Sequence, residues 1–278
     1  MPIPFQISLA PDRIIRGDFF PARHDPLATL VVCHGFKGFK DWAFFPHIGQ
    51  TLSDDLNVIT FNFSHNGVGE DLTQFSELEK FARNTYSLEL DDLKTLFTHI
   101  RNRSLPLPAE IKQVADPVIL LGHSRGGGVS LIFAFDHPDW VKGVISWNGI
   151  ADVDIFTEEQ KQEMREKGRS HVLNARTGQQ LPLDKVILDD IEANKERFNI
   201  LARVKESSLP IVLIQGTEDH PRLLTGSEKL VQANPRIRWI KIEGGNHTFN
   251  AVHPLSEVPK ALEEALAHTK EAIRSFLN

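Results

Sequence analysis

Cysteine is nearly missing from this chain of 278 residues, which holds one, Cys33. A lone thiol excludes an intramolecular disulfide and any cysteine-built zinc site. Cys33 ends the apolar run Leu30-Val-Val-Cys33, where a small buried core residue is expected rather than a nucleophile. Neither a His-Glu-x-x-His string nor a P-loop occurs, so no metal, nucleotide or other cofactor is expected. No apolar stretch approaches the ~20 residues of a membrane span. The opening Met-Pro-Ile-Pro-Phe-Gln lacks the basic start and apolar core of a secretory signal, so a cytoplasmic protein is expected. Positive charge is also in deficit. With 31 Lys and Arg against 37 Asp and Glu the formal charge is −6, and the basic residues are scattered. That balance argues against nucleic-acid or polybasic membrane partners. Oligomeric state is left open.

What the chain does contain is an ordinary soluble composition, 41% hydrophobic and 24% charged. Its pattern alternates short apolar runs with amphipathic segments. Gln6 to Leu9 and Ile14 to Phe20 read as a hairpin, followed by strands at Leu30 to Cys33, Asn57 to Phe63, Val118 to Leu121, Val141 to Trp147, Ile211 to Ile214 and Arg238 to Ile242. Between them Phe45, Ile48, Leu52 and Leu56 recur at helical spacing, as do Leu93, Leu96, Phe97 and Ile100. Helices are also expected near Ser227 to Ala233 and along the C-terminal segment through Phe276.

Such alternation implies an α/β protein with a mostly parallel sheet covered by helices on both faces. The strand-to-helix loops then gather along the carboxyl edge of the sheet. From Asp152 to Ser208 the alternation breaks into a polar helix over Thr157 to Arg169, a hairpin around Thr177-Gly178 and a helix over Asp189 to Val204. The expected organisation is therefore a core of residues 1–151 and 209–278, with residues 152–208 inserted as a cap over that edge.

The most informative stretch is Val118-Ile-Leu-Leu-Gly-His-Ser-Arg-Gly-Gly-Gly128. An apolar strand ends in Gly-x-Ser-x-Gly and a second apolar segment follows. This fits a nucleophile elbow, in which close-packed glycines let a strained turn raise the serine above the sheet. The new helix begins behind Ser124 with unpaired N–H groups and the positive end of its dipole. Partners belong on neighbouring carboxyl-edge loops. Gln215-Gly-Thr-Glu-Asp-His220 offers two acids, Glu218 and Asp219, and Gly244-Gly-Asn-His247 offers a histidine. In that order a serine, an acid and a histidine suit nucleophilic catalysis: His247 takes the Ser124 proton, and the acid orients the imidazole. The oxyanion of the tetrahedral intermediate would meet the N–H groups of Arg125 and of Phe36, the latter in the glycine loop His34-Gly-Phe-Lys-Gly38.

These residues, with Gly216-Thr-Glu-Asp219 and Gly245-Asn-His-Thr-Phe249, resemble the α/β-hydrolases. The nearer resemblance is to the cinnamoyl/feruloyl-esterase and dienelactone-hydrolase-like group of serine esterases. Where dienelactone hydrolases proper carry a cysteine, this chain has Ser124. The resemblance implies an eight-stranded, mostly parallel sheet and selects Asp219 over Glu218. It also implies hydrolysis of small or medium carboxylic esters through an acyl-enzyme. Phe36, Trp147 and Phe156 are the expected substrate-contacting residues. Thioester hydrolysis, peptide hydrolysis and acyl transfer use the same machinery, and a non-catalytic binding protein on this fold is the alternative of a different class.

Overall fold

A computed structural model describes all residues except 73 and 115. The chain begins with the hairpin β1 (Ile3–Ala10) and β2 (Arg13–Phe20), then β3 (Ala28–Cys33), α1 (Phe44–Leu52) and β4 (Leu56–Asn62). Next come α2 (Leu78–Ala82), α3 (Tyr86–Arg101), β5 (Val118–His123), α4 (Arg125–Asp136) and β6 (Gly143–Trp147). The following stretch holds α5 (Glu158–Lys167), β7 (Arg169–Leu173), β8 (Gln180–Asp184), α6 (Val186–Ala193) and α7 (Ile200–Glu206). The chain closes with β9 (Ile211–Gly216), α8 (Pro221–Ala233), β10 (Arg238–Ile242) and α9 (Lys260–Leu277).

Among the described residues eight strands form one sheet in the order β1-β2-β4-β3-β5-β6-β9-β10, while β7 and β8 pair separately. The β1–β2 and β2–β4 pairs are antiparallel, and every pair from β4 to β10 is parallel. The central strands are apolar throughout because both faces are covered. In β3, Val31 and Cys33 join the core on one side, and Leu30 and Val32 join the core on the other. Leu120 and Ile119 divide in the same way in β5. This is the period-two geometry of a strand buried on both faces.

Two expected helices differ in extent. Leu56, grouped by spacing with α1, instead opens β4 opposite Ala28, because Ser53-Asp-Asp55 turns the chain first. The single helix expected over Asp189 to Val204 is two. Asn194 ends α6, and the Asn199 side chain accepts from the Ala202 N–H at 3.0 Å to start α7. Asparagine offers the backbone these local alternatives to a continuous helix.

The inserted stretch has its own stop signals. In α5 a capping box joins Thr157 and Gln160, and Gly168 ends the helix at φ 81°. Two polar contacts tie the stretch back to the sheet-flanking helices. The Asp190 carboxylate accepts from the Ser87 N–H and hydroxyl at the start of α3, at 3.1 and 2.5 Å, and Arg169 bridges Asp184 to Glu79. No helix among the described residues is long and apolar enough to cross a membrane.

Candidate active site

The end of β5 delivers Ser124 into a tight turn at φ 55°, ψ −120°, and α4 begins at the next residue. A non-glycine residue in that region is strained, and the surroundings hold it there. Gly122 and Gly126 are what permit the turn. A Cβ on Gly122 would lie 2.2 Å from the Gly126 carbonyl oxygen, and one on Gly126 would lie 2.4 Å from that of Cys33. Strand and helix therefore cross closer than any larger residue allows.

Asp219 follows β9 and His247 follows β10, so parallel pairing of those strands sets the two loops side by side. His247 Nδ1 donates to Asp219 Oδ1 at 2.8 Å, and its Nε2 lies 3.0 Å from the Ser124 hydroxyl. Since a carboxylate only accepts, the neutral imidazole carries its proton on Nδ1 and leaves Nε2 to accept from the serine. Glu218, the rival acid, is exposed and Asp219 is buried. Burial alone would push the Asp219 pKa up. The His247 bond and charge, the Gln215 side chain at 3.0 Å and the His220 N–H at 2.8 Å outweigh burial and hold it below the ordinary value.

A second set of contacts fixes the loops themselves. The Asn148 side chain accepts from the Gly216 N–H at 2.9 Å, and donates to the His247 and Asn246 carbonyls at 2.8 and 3.3 Å. It thus ties the end of the acid-bearing strand to the histidine loop. His123 Nε2 also donates to the His247 carbonyl at 2.8 Å. Burial and the neighbouring His247 lower the His123 pKa to about 3, so it is a neutral donor. His34 is likewise neutral, lowered to about 4 by burial, and joins the Gly35 carbonyl to the Phe63 N–H.

Arg125 opens α4, where its N–H precedes the first intrahelical acceptor. Its side chain turns inward to a buried ion pair with Glu89 at 2.9 Å, lies 3.9 Å over the Tyr86 ring, and donates to the Asn84 carbonyl at 3.2 Å. Cys33 is fully buried, which pushes its thiol up to about 12 and leaves it inert.

Ser124, His247, Phe36 and Arg125 line a cavity of 980 Å³. Its apolar walls include Ile150, Val153, Phe198, Ile200 and Leu223, drawn from the loop after β6, the inserted stretch and α8. Two expected substrate contacts lie elsewhere. Trp147 is fully buried on the opposite face of the sheet, where its indole N–H donates to Thr269 at 2.9 Å. As the last residue of an inner strand it points away from the cavity. Phe156 stands behind the cavity wall, its ring 6.1 Å from that of Phe36, in a cluster with Met164 and Leu181. Of the three, Phe36 alone reaches the cavity.

Among the described residues, the grouping compact enough to hold a metal is Asp219, His220 and His247, with ligand atoms within 4.8 Å of one another. Two of its members are already joined in the serine–histidine–aspartate row. Asn148, Gln215 and Glu89 escaped sequence reasoning. Asn148 alone had a visible signal, its place directly after a strand on the carboxyl edge.

Three comparisons place this architecture among known proteins. The family described as serine aminopeptidase, S33, matches residues 24–195, more than half of the chain. A search of curated proteins gives no match. Among solved structures, Est1E from Butyrivibrio proteoclasticus superposes with a TM-score of 0.69 at 14% identity, covering 99% of this chain and 98% of that one. Dienelactone hydrolase from Anabaena variabilis gives 0.63 at 15%, covering 100% and 99%. The α/β-hydrolase GrgF from Penicillium gives 0.69 at 16%, covering 100% and 99%. The chain belongs to the serine aminopeptidase S33 family and has the α/β-hydrolase fold.

Proposed function

We propose that this protein is a serine esterase that hydrolyses small or medium carboxylic esters through an acyl-enzyme. The observation that carries the reading is the unbroken row from Ser124 Oγ through His247 to buried Asp219, opening into a mostly apolar cavity. The Ser124 hydroxyl attacks the ester carbonyl as His247 Nε2 takes its proton, and Asp219 stabilises the imidazolium. The N–H groups of Phe36 and Arg125 receive the oxyanion. As the tetrahedral intermediate collapses, His247 returns the proton to the departing alkoxide. Water, deprotonated by the same imidazole, then releases the acid and restores Ser124. Residues 152–208 act as the cap that shapes the acyl pocket, since Val153, Phe198 and Ile200 belong to it.

Aminopeptidase action, which the family description suggests, would need a free carboxylate to receive the substrate's ammonium group. Asp152 and Asp154 on the cavity wall are instead engaged by Arg222 and Lys161. That favours ester over peptide. The test is initial rates on p-nitrophenyl esters from acetate to decanoate. Ser124→Ala is expected to lose roughly 10⁴–10⁶-fold in kcat. Covalent labelling of Ser124 by a fluorophosphonate, read as an intact-mass shift, separates the enzyme from a binding protein on the same fold. A wild-type protein that neither turns over esters nor labels overturns the proposal.

A further inference from the structure

Charge on the cavity wall runs against that of the protein. The chain carries −6, yet Lys37, Lys195, Lys229 and Arg222 line the cavity against two acids, Asp152 and Asp154. The acids are already matched: Asp152 faces Arg222 at 3.8 Å, and Asp154 holds Lys161 at 2.7 Å. Lys195 faces Glu192 at 3.7 Å, and Lys229 makes no ion pair among the described residues. Among the described residues two ammonium groups, those of Lys37 and Lys229, therefore have no carboxylate partner around one opening.

Lys37 is the one built into the wall. It lies in the glycine loop that also supplies Phe36, and its backbone takes φ 58°, a conformation costly to any residue with a Cβ. The side chain is half-buried, no carboxylate among the described residues pairs with it, and burial draws its pKa below the ordinary lysine value. One of its three N–H donors goes to the Leu173 carbonyl at 3.1 Å. Its other two donors have no acceptor among the described residues. A partly desolvated cation without a counter-ion, in the wall of a cavity, is a place for an anion.

We propose that the substrate of this site carries an anionic group, in the simplest case a carboxylate, that the Lys37 ammonium receives. This rests on the serine-esterase reading. Lys195 and Lys229, exposed on the α6–α7 connection and on α8 respectively, raise the local concentration of such substrates without gripping them. The substrate class is then a half-ester of a dicarboxylic acid, or an ester whose alcohol part bears a carboxylate. The apolar walls hold the carbon chain between the reacting carbonyl and the anion.

The experiment compares mono-p-nitrophenyl glutarate with p-nitrophenyl 5-methylhexanoate, in which an isopropyl group stands for the carboxylate. A matched pair with the charge on the alcohol part tests the other side of the ester bond. In one of the two pairs, wild type is expected to favour the anionic member by roughly fivefold in kcat/KM, through KM, as a single exposed-to-half-buried ion pair supplies. Raising salt from about 0.02 to about 0.5 M should shrink that preference. Lys37→Met should bring the ratio to about one, and Lys37→Arg should keep it, which a merely structural role for the side chain would not produce. A wild-type ratio at or below one in both pairs, or a ratio that survives Lys37→Met, overturns the inference. Neutral-ester turnover abolished by Ser124→Ala would then leave the esterase reading standing. If no ester is turned over, the esterase reading falls. The charge preference is then read as the ratio of Kd values for the same esters on Ser124→Ala by calorimetry, and equal values overturn it.

Discussion

Replacing Asn148 by alanine should damage stability and turnover together. The side chain is fully buried and makes three hydrogen bonds, to the Gly216 N–H and to the carbonyls of His247 and Asn246. Removing it leaves the Gly216 N–H without that acceptor inside the protein, at about 1–3 kcal/mol. The backbone at Asn148 also sits at φ 47°, which asparagine tolerates and alanine adopts at a cost of about 1 kcal/mol. The His247 carbonyl keeps His123 as a partner, so its loss is only partial. The sum is about 3 kcal/mol. For a chain of this length that lowers Tm by roughly 5 °C. The same bonds hold the histidine loop against the acid strand, so Nε2 loses its fixed distance to Ser124. A misplacement near 1 Å costs on the order of 10²-fold in rate, and the expected fall in kcat is roughly 10–100-fold with KM little changed. Thermal unfolding and initial rates on one neutral p-nitrophenyl ester give both numbers. A variant within about twofold of wild-type kcat would refute the claim that Asn148 positions His247.

Two further outcomes follow from buried charge and buried imidazole. Glu89→Leu strands the Arg125 guanidinium inside the core, and urea unfolding should show a loss of about 3–5 kcal/mol. Glu89→Leu combined with Arg125→Met should regain most of it; an additive double variant would refute a coupled pair. His34 and His123, lowered by burial to about 4 and about 3, stay neutral in the folded protein while the unfolded chain protonates them below about pH 6.5. Stability is therefore fully present above that value and is lost as pH falls, by about 2 kcal/mol per histidine at about pH 5. Denaturant unfolding at neutral and mildly acid pH checks this, and a stability that does not change would refute it.

Apart from the short α2 and the break between α6 and α7, the order of strands and helices was legible in the sequence, as were the elbow at Ser124 and the loops carrying Asp219 and His247. Local physics writes them there. A strand buried on both faces must be apolar at every position, as Leu30 to Cys33 is, and a turn tighter than a Cβ allows must be glycine, as at Gly122 and Gly126. Parallel β-α units send their strand-to-helix loops to one edge, so three motifs far apart in sequence were expected at one place.

What the tertiary structure decided is direction and partnership. Trp147 and Ser124 both lie at strand ends near that edge, but the pleat turns Trp147 into the core beneath the sheet. Phe156 is apolar and close by, yet packs behind Phe36, in a cluster where Met164 and Leu181 of the inserted stretch meet Phe39, Phe75 and Phe81. The pairing of Arg125 with Glu89, the grip of Asn148 on two loops, and the reach of Lys37 to the Leu173 carbonyl join residues 36, 68, 99 and 136 positions apart. Periodicity and motif spacing report a residue's own backbone. Which distant group a side chain meets depends on how sheet, helices and insertion pack in three dimensions.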